Sequence, residues 1–95
     1  MSIIELAHLR AKAGEEEAMA AALPAAVAVL ETAKGCLGAS ALRCIERPDE
    51  FTFSVRWLEV QDHLAFREAS EFARYRATFS EHLDEVIGFA HYSEL

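Results

Sequence analysis

The residues of this chain best suited to chemistry are three of its four histidines, a single tryptophan and one arginine. His63 falls early in the helical pattern after Trp57, close enough in sequence to share a pocket with it. Its ordinary pKa of about 6.5 suits a general base. The alternative is a histidine on an exposed helix surface. His8 and His91 fall in the first and last strand patterns, where each either faces a pocket or is buried with a backbone partner. Arg76 follows Tyr75 on the edge of an apolar stripe. Its guanidinium either holds a phenolate or carboxylate or snorkels outward from a packed stem. Tyr75 either donates to a ligand or packs in the core, and Trp57 either stacks on a flat aromatic ligand or fills the space under the helices. His82, beside Glu81, fits a helix C-terminus. No histidines are spaced as HxH or HExxH and no CxxC occurs, which argues against a metal site. Glycine-rich phosphate loops, GxSxG elbows and Ser/His/Asp spacing are also missing.

These side chains need a scaffold, and its centre is EFTFSVRWLE, Glu50 to Glu59. Phe51, Phe53, Val55 and Trp57 alternate with Thr52, Ser54 and Arg56, the period of a strand. The first face is expected to look into a helix-covered pocket, with Phe53 and Trp57 on its wall. Residues 3 to 12 read as a first strand, with Ile4, Leu6 and His8 on one face and Ile3, Glu5, Ala7 and Leu9 on the other. Apolar groups on both faces suggest cover on both sides. Residues 15 to 34 predict an alanine-rich helix whose face is Met19, Leu23, Ala26, Val27 and Leu30, stopped by Gly35. Pro24 predicts a kink near residues 20 to 24 or a short helix handing over to a second. Residues 37 to 46 make a weaker strand, and Arg47, Pro48 and Asp49 turn it into the central one. LEVQDHLAFREA after Trp57 is helical. Ser70 is a candidate cap for a further piece over 70–83, with Phe72, Tyr75, Phe79 and Leu83 as its stripe. In the closing strand Val86, Gly88, Ala90 and Tyr92 alternate against Ile87, Phe89 and His91.

The order β, α, β, β, α, β within 95 residues predicts one α+β domain of the split βαβ, ferredoxin-like type, a four-stranded antiparallel sheet with helices on one face. The uncovered face would be an apolar patch unless a partner covers it, so a homodimer is expected. A net charge of −7 with scattered basic residues disfavours nucleic acid and anionic membranes as partners. No run approaches the ~18 apolar residues of a spanning helix, and MSIIELAHLR lacks the features of a signal peptide, so a cytoplasmic protein is expected. Cys36 and Cys44, about 25 Å apart if the chain between them is extended, are expected to be free thiols.

The first strand ending in Gly14, the Gly35-Cys36-Leu37 turn, the Arg56-Trp57 strand end, the Ser70-Glu71-Phe72 step and the closing His91-Tyr92 together resemble the antibiotic biosynthesis monooxygenase domain over nearly the whole chain. The resemblance implies a sheet that pairs back to back with a second copy into a dimeric α+β barrel, with a pocket between sheet and helices. It also implies a cofactor-free monooxygenase whose partners are dioxygen and a small quinol- or anthrone-like aromatic, with Trp57 lining the pocket. Other members bind without known chemistry, which keeps a non-catalytic or stress-associated ligand-binding dimer as the alternative. The haem-degrading branch carries a histidine where Arg76 stands and an asparagine where Ala7 stands, so both positions count against that activity. Many members have a histidine at the position of Phe66. With Phe66 there instead, the expected site is His63 or His91 as base, Arg76 as anion holder, and Trp57, Tyr75, Phe53, Phe66 and His8 around the substrate.

Overall fold

A computed structural model of the chain describes residues 2–95. Strand β1 (Ile3–Ala11) leads into helix α1 (Glu16–Leu30). A hairpin of β2 (Cys36–Arg43) and β3 (Glu50–Trp57) follows, then helices α2 (Val60–Glu68) and α3 (Ser70–Ala77), a single 3₁₀ turn (Ser80–His82) and β4 (Leu83–Tyr92). The strands form one antiparallel sheet in the order β2-β3-β1-β4, the expected ferredoxin-like arrangement.

The alternation in β3 sets the core. Phe51, Phe53, Val55 and Trp57 are buried beneath the helices together with Ala7, Leu9 and Ala11 of β1, and α1 covers them with Met19, Leu23, Ala26, Val29 and Leu30. Val29 takes the buried place expected of Val27, which is half-buried. Pro24 does not divide α1 into two helices. It lies on the exposed side, where the Ala20 carbonyl, deprived of its usual N–H partner, can bond water.

Several element ends differ from the sequence expectation, and α1, expected to run to Lys34, already stops at Leu30. The strand expected over 37–46 ends at Arg43, and Cys44 lies beyond it as one of two free thiols. Ser70 does not cap α3. Ala69 holds the cap position, and the Ser70 hydroxyl donates to the Glu71 carboxylate at 3.3 Å. That helix stops at Ala77, leaving Leu83 to open β4, and His82 bonds Glu15 at the start of α1 (2.9 Å) rather than a helix end. In β4 the pairing slips between His8 and Leu9 of β1, so Val86 opposes Leu9 on the helix side while Gly88 opposes His8 on the other. This bulge breaks the strict alternation and turns Val86 to the helix side, where it borders the cavity and stays partly exposed. Among the described residues, no helix is long and apolar enough to cross a membrane.

Candidate active site

Between the sheet and helices α2 and α3 lies a cavity of about 230 Å³. Its floor is sheet residues Glu5, Ala7, Leu9 and Val55, and its roof includes His63, Phe66, Tyr75 and Arg76. The site is built around a carboxylate out of place. In the alternation of β1, Glu5 falls on the face otherwise occupied by Ala7, Leu9 and Ala11, and it is 7% exposed. The Trp57 indole N–H donates to one of its oxygens at 2.9 Å, and His63 Nε2 lies 3.4 Å from the other. His63 Nδ1 is 2.7 Å from Nε2 of His91, which stands opposite Glu5 in the β1–β4 ladder. A neutral His63 with its proton on Nε2 fits both of its contacts: it points that proton at Glu5 and accepts at Nδ1 from His91. Three strands and α2 thus converge on one polar chain inside an apolar shell.

Burial raises the pKa of Glu5 above the ordinary carboxylate value, with the Trp57 hydrogen bond and the charge of Arg67 opposing it. His63 is pushed down to about 4 by burial and then by the positive fields of His91 and Arg67. Glu5 lies within ion-pair reach of His63 and would favour its protonation, but the cost of burying an imidazolium outweighs that attraction. Burial, and next the Glu5 charge, raise the Tyr75 pKa, so its hydroxyl stays protonated as a donor.

The expected site residues separate into three groups. His63, Phe66, Tyr75 and Arg76 border the cavity. Trp57, expected on its wall, instead lies fully buried behind it, its ring stacked on His63 with centroids 5.5 Å apart, so it holds the imidazole rather than facing the cavity. His91 is not part of the cavity lining and adjoins it through His63 and Phe89. Phe53 and His8 lie off it. Phe53 is buried among Tyr75 and Phe79, and His8 is on the opposite face of the sheet, bonded to Thr52 at 2.8 Å. Sequence reasoning missed Glu5 and Arg67. A charged residue in phase with Ala7 and Leu9 was a usable signal for Glu5. The i, i+4 spacing from His63 was one for Arg67, which the helix turns toward the same cavity.

A ferredoxin-like domain with a helix-roofed cavity and a buried carboxyl–imidazole pair is an α+β protein with one candidate site between sheet and helices. The chain belongs to the antibiotic biosynthesis monooxygenase family, whose model matches residues 2–78. His91 falls beyond that match. A structure from Bordetella bronchiseptica, provisionally designated an antibiotic biosynthesis monooxygenase, shares 28% identity at a TM-score of 0.92, over 99% of this chain and 97% of that one. A Nitrosomonas europaea protein with the same provisional designation (17% identity, TM-score 0.83, 99% and 90% covered) and a Pseudomonas aeruginosa protein (20%, 0.80, 99% and 94%) share the fold. No curated protein matches the chain.

Proposed function

We propose that the chain is a cofactor-independent monooxygenase of a small quinol- or anthrone-like aromatic. The observation that carries this reading is the buried Glu5–His63 pair facing an apolar cavity, which supplies a proton acceptor where an aromatic hydroxyl would lie. His63 alone is a weak base at about pKa 4, so Glu5, with its raised pKa, takes the proton while His63 and Trp57 hold its carboxyl in place. Arg76 stabilises the anion that forms. That anion is the electron source for dioxygen. One oxygen atom enters the ring, as a carbonyl at an anthrone methylene or a hydroxyl on a quinol that ends as quinone. The other oxygen leaves as water with two substrate hydrogens, so the substrate is its own reductant.

The experiment is oxygen uptake with a panel of quinols, naphthols and anthrones. Uptake is expected to fall at least ~100-fold in Glu5→Gln, the scale of a lost general base. Binding without uptake across the panel would favour the non-catalytic alternative.

We further propose that two copies pack sheet to sheet. The reading rests on the face opposite the helices, where Ile4, Leu6, Leu42 and Tyr92 gather, with Leu42 53% and Tyr92 48% exposed.

A further inference from the structure

The arginines of this acidic chain differ in how they are satisfied. Arg10, Arg43, Arg47 and Arg56 each pair with a carboxylate. Arg67 and Arg76 form no ion pair among the described residues, and both border the cavity. Arg74 also has none, but it is exposed and off the cavity. The guanidinium of Arg67 lies over the Phe89 ring (5.2 Å) and that of Arg76 over Phe79 (5.9 Å), so each rests on an aromatic wall. Arg76 Nε is buried with no hydrogen-bond partner, so the protein itself leaves this guanidinium under-satisfied. Two positive charges without a paired carboxylate thus stand at the roof of a cavity that otherwise presents mainly aromatic and aliphatic surface. Glu5 pairs with neither: it stands on the sheet floor and accepts from Trp57.

We propose that the ligand carries its own anion: a hydroxyaromatic acid whose carboxylate is held by Arg67 and Arg76 while its ring fills the apolar space and its hydroxyl reaches Glu5. This rests on the reading of the cavity as an aromatic site and narrows its substrate class. A neutral quinol brings no charge to the two guanidinium groups until it is deprotonated, whereas a planar carboxylate matches their fork geometry from the moment it binds.

The test compares 6-hydroxy-2-naphthoate, whose hydroxyl and carboxylate lie at opposite ends of the ring system, with 2-naphthol by calorimetry, with the fluorescence of the single tryptophan, Trp57, reporting on the cavity. The acid is expected to bind at least tenfold more tightly. That preference should collapse in Arg76→Gln and Arg67→Gln, with 2-naphthol affinity within about twofold in Arg67→Gln, which also shows that variant to be folded. If Arg76→Gln loses 2-naphthol binding too, the exposed Arg67 position carries the test. Equal affinity for the two probes in the unaltered protein overturns the proposal, as does a preference that survives both substitutions. If neither probe binds, the aromatic reading of the cavity itself falls.

Discussion

At the scale of single residues, the site depends on one charged side chain placed against the rule of its own strand. Glu5 and His63 are buried, and their pKa shifts have opposite signs, which gives their contributions to stability opposite slopes with pH. His63 titrates at about 4 in the folded chain against 6.5 when free. The unfolded state therefore binds the extra proton in that window, and stability falls as pH drops from about 6.5 toward 4. Glu5 is raised from 4.5, so the folded state holds the extra proton and its contribution falls as pH rises above 4.5. Where the windows overlap the two oppose each other. Below 4.5 only the His63 loss remains. The urea midpoint of His63→Gln should consequently decline less between pH 6.5 and 4 than that of the unaltered protein, and parallel curves for the two would contradict a buried neutral His63. His63 was visible in the sequence as a candidate because a histidine after Trp57 stands out. Glu5 was not, because an isolated acidic residue in a strand usually points to solvent. Only its phase with Ala7 and Leu9 distinguishes it.

Among the elements, the strands were easier to read than the helix ends. Period-2 alternation in Phe51 to Trp57 reflects burial of one face, a property the residues carry themselves, whereas the bulge that turns Val86 to the helix side comes from pairing with β1 and leaves no local mark. The turn from α1 into β2, which packs against the start of α2, is where local and tertiary constraints coincide. Gly35 has φ +83°, and a Cβ there would sit 2.2 Å from Cγ of Asp62, the residue whose carboxylate accepts the Glu59 N–H at the start of α2. The Gly35 carbonyl also accepts from Leu58 N–H at 2.8 Å, so this turn fixes where α2, and with it His63, begins. A methyl group at this position meets both the left-handed backbone and Asp62. Gly35→Ala should cost more than the ~1 kcal/mol of backbone strain alone, on the order of 2 kcal/mol or more in chemical unfolding. Gly14, also at positive φ but with open space around a Cβ, is the control and should lose only the backbone part. Equal losses at the two glycines would mean that the packing against Asp62 contributes nothing.

For the whole molecule, the sheet divides the chain into a face that makes the cavity and a face that has no cover. Apolar residues on both sides of β1 made that division legible in the sequence, since Ile4 and Leu6 have no reason to alternate with Glu5 and Ala7 on a strand exposed on one side. Four strands spaced about 4.8 Å apart and about eight residues long at roughly 3.3 Å each give a face near 500 Å² in plan, which side-chain relief brings toward the ~800 Å² per partner of a stable interface. Leu6 sits at the middle of that face, half-buried within its own chain, between Ser54 of β3 and Ala90 of β4. A charge there spares the core but would lie in the middle of a partner contact. Sedimentation at micromolar concentration should give twice 10.5 kDa for the unaltered chain and 10.5 kDa for Leu6→Lys, with circular dichroism unchanged. A monomer mass for the unaltered protein would contradict the pairing. Because the residues bordering the cavity all come from one chain and lie across the sheet from Leu6, the Leu6→Lys monomer should still bind 2-naphthol within about threefold of the dimer. Loss of that binding would instead show that pairing of the sheets is what holds the cavity in shape.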